Sequence, residues 1–542
     1  MEQPAEPEQA EARKSPQQRS EPLKTPFTTS KVGSPMTVYS DYSRDKIGWF
    51  FGLNGVQFSF LALASLPFFW AVRNASWLSA GMFLLVWGVS AAVTIVPVRG
   101  RSATGWLVAT LCYSLGGLTG WTQFRAKASA GAIEDPTEPD MPGRLQGIQV
   151  HDGPPLGGSQ HRIAIIQDHA TRCWAVTAAV THPGIGMAET DERDRLGAAL
   201  SDLIDVAGRT ELIDELIFVV RTVPDDGAER ELWVDNHRVD HAPERVRRTN
   251  DELADWLTHA SVRTEQFVTI VVPEANLAKH AKEAGGGIDG RARNLYLLMG
   301  EIQDQLVGGL GMSAVTWLTS PELALACRSG FAPCDRAGII QALAARTEEI
   351  RRAGDSTINT DVPWAQAGPS GADPTIRHYS HDAWNSISAT FALPDRGAAM
   401  GALAPVLMPS EPGERRSYMV AFPIVRQSKA DRQSANDEWK ADLAEGLRSK
   451  AKMKMRAKQR EQAVKARGLD AKLARGNSLT RPYAIATVTV PKTQRIADFG
   501  RRLDAAIRRA GFAPMRLDLA HDVSFAASVV PLGVSLTRKG DA

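Results

Sequence analysis

At 542 residues the chain exceeds what one compact core holds, so two or three domains are expected. Lys and Arg number 63 against 61 Asp and Glu, and a formal net charge of +2 gives no global reason to bind nucleic acid. Cys112, Cys173, Cys327 and Cys334 form no CxxC pair and flank no histidines at zinc spacing, which argues against a metal or disulfide role, even for the neighbours Cys327 and Cys334, and fits a reducing compartment.

Residues 1–45 are rich in Pro, Glu, Gln, Lys and Ser and lack apolar periodicity, so they read as a disordered cytoplasmic tail. The stretch 47–72, IGWFFGLNGVQFSFLALASLPFFWAV, carries no formal charge and exceeds the roughly 20 residues that cross a bilayer core. After Arg73-Asn74-Ala75-Ser76, the run 77–98 has the same character, with Trp77 where an interfacial aromatic belongs. The short connection makes a two-helix transmembrane hairpin over 46–98. Arg13, Lys14, Arg19, Lys24, Lys31, Arg44 and Lys46 precede it and Arg99 and Arg101 follow, so the positive-inside rule places both termini in the cytoplasm and the chain in the inner (cell) membrane. Asn54 and Gln57 inside the first span are candidates for packing against a partner helix; individual toleration explains them equally well. In the juxtamembrane segment 99–130, the stretch 106–121 is short and dotted with Thr, Ser and Gly, which suits an interfacial helix better than a third span. A Pro, Gly, Asp and Glu-rich linker follows over 131–160.

The remainder alternates strands and helices. CWAVTAAVTHP, QFVTIVVP, SISATFALP and YAIATVTVP resemble one another and end at Pro183, Pro273, Pro394 and Pro491, each followed by a helical pattern. Helices are predicted over 189–208, 291–310, 335–352 and 494–511, the last from Ile496, Phe499, Leu503 and Ile507 at helical spacing. Further strands are predicted over 212–223, 417–425 and 514–520, and the halves close alike, with strand and short helix over 315–333 and 515–533. The fold class expected is α+β: two split β-α-β (ferredoxin-like) sandwiches over 161–352 and 377–542, separated by a linker at 353–376. The second contains an almost breaker-free helix over 428–475 with Arg448, Lys450, Lys452, Lys454, Arg456, Lys458 and Arg460 spread round it. A solvated protruding helix, contact with lipid headgroups or an acidic partner, and nucleic-acid binding all stay open for it, the last least favoured.

Motifs of catalysis are missing from the sequence. No G-x-x-x-x-G-K-[ST] string exists to hold nucleotide phosphates, and the glycines at 285–290 and 368–371 lack its lysine and read as loops. His378-Tyr379-Ser380-His381-Asp382 offers two imidazoles and a carboxylate that would need a third metal ligand from elsewhere; a turn before a strand is the simpler reading. His161, His169 and His182 accompany no G-x-S-x-G elbow or H-E-x-x-H helix, and Asp191, Glu192, Asp194, Asp202 and Asp205 fit an exposed helix face. No catalytic, cofactor-binding or metal residues, and no cofactor, are therefore expected.

The approach TVYSDYSRDKIGWFFGL at 37–53 and the hairpin after it resemble the small hairpin membrane subunit of type IV secretion systems. The β-α-β halves, with the ending GRRLDAAIRRAGFAPMRLDLAHDVSFAASVVPLG, look like the N-terminal, non-motor region of the conjugation ATPase of those systems. Over 37–542 the layout is similar to actinobacterial proteins of integrative and conjugative elements that join both parts in one chain. That resemblance implies a non-catalytic, oligomeric scaffold that docks a separate secretion ATPase beside other inner-membrane subunits. A type VII secretion membrane component and a membrane-tethered enzyme with an unrecognised site are the alternatives.

Overall fold

The computed structural model describes residues 38–39, 55–95, 97–98 and 101–538, except 431–467 and positions 134, 158–159, 187, 226, 240, 261, 395–396, 412 and 470. Three helices come first: α1 (Gly55–Arg73), α2 (Trp77–Ile95) and α3 (Ala103–Thr119). Among the described residues no helix is long and apolar enough to cross a membrane. Residues 47–54 of the first predicted span lie outside the described residues.

The rest is mixed helix and antiparallel sheet, as the sequence suggests. After β1 (Phe124–Arg125), the first half supplies β2 (Ile148–Pro155), β3 (Arg162–Asp168), β4 (Cys173–Thr181), β5 (Glu215–Pro224), β6 (Val262–Pro273) and β7 (Ala314–Trp317). The second supplies β8 (Gly371–Pro374), β9 (Tyr379–His381), β10 (Trp384–Ala392), β11 (Arg415–Val425), β12 (Leu479–Thr480), β13 (Tyr483–Pro491) and β14 (Ala513–Arg516). All 14 belong to one sheet, in the order β1-β8-β9-β10-β13-β11-β5-β6-β4-β3-β2, with β7 beside β4, β14 beside β10 and β12 beside β11.

An internal repeat is visible in that order. Strands β4 to β7 lie as β7-β4-β6-β5, and β10, β11, β13 and β14 lie as β14-β10-β13-β11, the same 4-1-3-2 arrangement. The four similar proline-ended strings are the inner strands β4, β6, β10 and β13, and their continuous runs of small and branched residues suit strands covered on both faces.

Two expectations need correction. The halves do not form separate sandwiches: β5 and β11, the outer strand of each 4-1-3-2 set, pair antiparallel from Thr222↔Arg416 to Glu215↔Pro423. Each would otherwise expose an unpaired edge, and their pairing buries Val219 against Met419. Nor, among the described residues, is the third proline-ended strand followed by a helix: after the two-residue strand Ala398–Ala399 comes a 3-10 turn, Ala404–Val406, that places Val406 in the core.

The helices that accompany the sheet are α4 (Thr190–Arg209), α5 (Ala228–His237), α6 (Glu244–Ala260), α7 (Glu274–Glu283), α8 (Gly287–Asp304), α9 (Ser320–Phe331), α10 (Asp335–Ala353), α11 (Ile496–Arg509) and α12 (His521–Val529). On one face α4 and α8 bury Val176, Val268 and Ile270, and α11 buries Val488 and Ile387 with Phe499 and Leu503. On the other, α9 and α12 share one core with Ala175 and Ile217 of the first half and Met419 and Ile485 of the second. Residues 530–538 then run on across the first half's sheet, where Thr177 Oγ1 donates to Pro531 O at 2.9 Å.

The glycine cluster at 285–287 is the turn between α7 and α8, with φ of 109°, 74° and 61°. Just inside α8, a Cβ on Gly290 would stand 2.3 Å from Ala281 O, a backbone atom that cannot give way. Gly290→Ala is therefore expected to destabilise the protein by about 1–3 kcal/mol, read as a fall in thermal midpoint, although alanine is the better helix former.

Candidate functional site

Side chains of α1, α2 and α3 form the most apolar exposed surface of the described structure. The two longer helices lie side by side with Leu61, Ala71, Ala80 and Ala91 buried, and Trp87 Nε1 donates to Leu61 O at 2.9 Å. Such small buried residues let helix backbones approach closely. Pointing outward are Leu66, Phe69 and Trp70 on α1 and Trp77, Leu78 and Leu85 on α2, with Leu78 91 % exposed. In α3, Leu111, Leu115 and Leu118 fall on one face at i, i+4 and i+7, followed by Trp121. Covering these ten side chains at about 1.5–3 kcal/mol each would release on the order of 20 kcal/mol, far more than a monomeric surface ordinarily forgoes.

This surface is tied to the sheet. Midway along α3, Tyr113 OH donates to Pro374 O of β8 at 3.3 Å. Next, β1 pairs with β8, Ala126 N donates to Ser370 O at 3.0 Å, and Arg125 meets Asp373 at 3.2 Å. Held against the domain at its midpoint, α3 leaves the flank of Leu111, Leu115 and Leu118 exposed.

Arg448, Lys450, Lys452, Lys454, Arg456, Lys458 and Arg460 lie outside the described residues, as does Asn54; Gln57 belongs to α1. The His378–Asp382 string forms β9 and its turn. His381 is fully buried, with Nε2 3.0 Å from Ser386 Oγ and its ring 4.4 Å from that of Phe525. Asp382 accepts from Ser370 N and faces Arg328, so its carboxylate caps a turn. Among the described residues no group of three or more His, Cys, Asp or Glu side chains is arranged to hold a metal ion.

Burial, reinforced by Arg415 and Lys492, holds the His381 imidazole well below its ordinary pKa, so it is neutral at pH 7. As pH falls through about 6.5 the unfolded chain takes up the proton first. This contribution to stability is therefore complete above that pH and declines below it, by up to about 1.4 kcal/mol per pH unit until the folded imidazole also protonates. His381→Gln, compared with wild type by unfolding midpoint at neutral and mildly acidic pH, is expected to show a flatter acid dependence.

Two cavities adjoin this region. One of about 130 Å³ lies where α3 meets the sheet, between Trp121, Arg144, Tyr379 and Asp522. An open cleft of about 700 Å³ lies between α10 and the segment 359–370, which includes the helical turn Trp364–Ala367. There the charge of Arg328 is met by Asp335 at 2.6 Å and Asp382 at 3.4 Å, and burial raises the Cys334 thiol, so neither a free cation nor a thiolate nucleophile faces the cleft.

No helices were expected between the strands β5 and β6. The connection between β5 and β6 is a helical pair, α5 and α6, joined by Arg230 Nη2 donating to Ala254 O at 3.2 Å. On α6, Val246, Leu253, Trp256 and Leu257 are exposed at i, i+7, i+10 and i+11, one stripe on an otherwise polar helix. Its spacing within ERVRRTNDELADWLTHA was the available signal. No protein-family model matches the chain, and no curated protein is significantly similar to it.

Proposed function

We propose that the chain is a non-catalytic membrane scaffold of a conjugation-type, type IV-like secretion apparatus: a two-helix hairpin anchors it in the inner membrane and its cytoplasmic bulk docks a separate ATPase. The observation that carries this reading is the outward apolar surface of α1, α2 and α3, fixed to the edge of a large sheet. Counted with 47–54, the first uncharged stretch reaches 26 residues, more than a bilayer core requires. The held flank of α3 supports its lying along the membrane surface. Basic residues on both sides of the paired stretches support cytoplasmic termini.

Each half of the sheet reads as a split β-α-β (ferredoxin-like) unit, and the fused pair offers a broad rigid platform suited to binding a partner. The experiment is affinity purification of the full chain from detergent-solubilised membranes of its own host. Co-recovery of an ATPase with a phosphate loop of its own supports the reading; purified chain that itself turns over nucleotide contradicts it.

A further inference from the structure

The internal repeat places two insertions at the same connection, between the second and third strands of each 4-1-3-2 unit. In the first half this is the α5 and α6 pair over 225–261; in the second it is 426–478. They are opposite in charge: 225–261 has ten acidic against five basic side chains, net −5, and 426–478 has 15 basic against seven acidic, net +8. Both also carry apolar residues at helical spacing, the exposed Leu253, Trp256 and Leu257 on α6 and, in sequence, Trp439, Leu443 and Leu447 in the other.

We infer that the α5 and α6 pair is a docking site for the basic 426–478 segment of a second copy of this chain. Strand register supports an intermolecular contact. Because β5 and β11 run antiparallel, the acidic pair leaves the sheet at Pro224, beside Arg415, and the basic segment leaves at Val425, beyond Glu215. The two roots stand about 30 Å apart and lead away from each other, by the rise of roughly 3.4 Å per residue along about ten residues. A second copy placed head to tail brings one molecule's acidic end to the other's basic end. The stripe of α6 is 77 % exposed at Trp256, and α5 is braced from behind by Glu229 with Arg336 of α10 at 2.6 Å, so the outward face is presented on a fixed base. An anionic membrane is the poorer occupant, since a net −5 element is repelled by it. The contact is heterologous, one patch meeting a different patch, and therefore propagates into a ring or a helical array.

The test uses the full chain in detergent, sized by analytical ultracentrifugation at low and high salt, with two variants. One carries Trp256→Glu with Leu253→Glu on the exposed stripe; the other carries Lys450→Glu, Lys452→Glu, Lys454→Glu and Lys458→Glu. Wild type is expected to self-associate at about 0.05 M salt and dissociate toward about 1 M, where charges are screened within about 3 Å. Each variant alone is expected to be monomeric, whereas their mixture forms a 1:1 dimer that grows no further, one supplying the intact stripe and the other the intact basic segment. Association of either variant as strong as wild type overturns the inference. So does a mixture that stays monomeric, which marks an intramolecular contact, or loss of vesicle flotation in the Trp256 variant with self-association unchanged, which assigns the stripe to lipid.

Discussion

A chain ending at Val529 is expected not to hold its sheet together. Residues 530–538 bury Val530, Leu532 and Val534 on the first half's strands, at about 1.5–3 kcal/mol each. The same segment brings Arg538 to Glu215, a carboxylate with no solvent exposure, at 2.6 Å, while Ser535 and Tyr483 hydroxyls complete its shell. Losing the arginine strands that charge, at roughly 3–5 kcal/mol. The combined loss, on the order of 10 kcal/mol, is as large as the whole stability of an ordinary domain. Pulse proteolysis of the truncated protein should show rapid digestion of β4, β5 and β6. Removing only 539–542 should leave the protein as resistant as wild type.

Arg221→Met is expected to cost about 3–5 kcal/mol, and the loss should loosen both halves together. Arg221 is 1 % exposed; its Nη1 donates to Ala326 O at 2.9 Å and Val529 O at 3.0 Å, and its Nη2 to Glu265. One guanidinium thus satisfies carbonyls of α9 from the first half and α12 from the second. Beside it, Arg415 donates to Ser329 O and Gly330 O at the end of α9. Methionine fills much the same volume but leaves both carbonyls of Arg221 unanswered. Lysine, with a single point charge, should recover only part of the loss. Hydrogen exchange that rises in α9 and α12 at once would show the coupling; a rise confined to α9 would show the halves to be independent.

Much of the sheet was readable because its inner strands are covered on both faces. Runs such as ATVTV and VTIVV ending at Pro491 and Pro273 have no other home, and α11 was visible from Phe499, Leu503 and Ile507. Fusion of the halves was not readable, because β5 and β11 pair through backbone groups that every edge strand carries. Alternation also misleads where polar residues face inward: Ser388 Oγ and Thr487 Oγ1 lie 2.7 Å apart, and Thr487 reaches Ser528 of α12, all fully buried. In sequence that pattern is indistinguishable from a solvated strand face. Of the candidate site, the apolar character of α1 and α2 was plain from composition. The α6 stripe was legible in its spacing but is diluted by the seven charged residues of that helix.

The proposed scaffold role requires the apolar surface of the first three helices to be covered by lipid and the sheet to lie on the cytoplasmic side. Protease treatment of alkali-washed inverted membrane vesicles, followed by blotting for the C-terminal half, tests this most directly. The expected result is a full-length chain that stays with the washed membranes and a C-terminal half that is digested in inverted vesicles but protected in intact spheroplasts. Release of the full chain into the alkaline supernatant, or digestion of that half in intact spheroplasts, would contradict it.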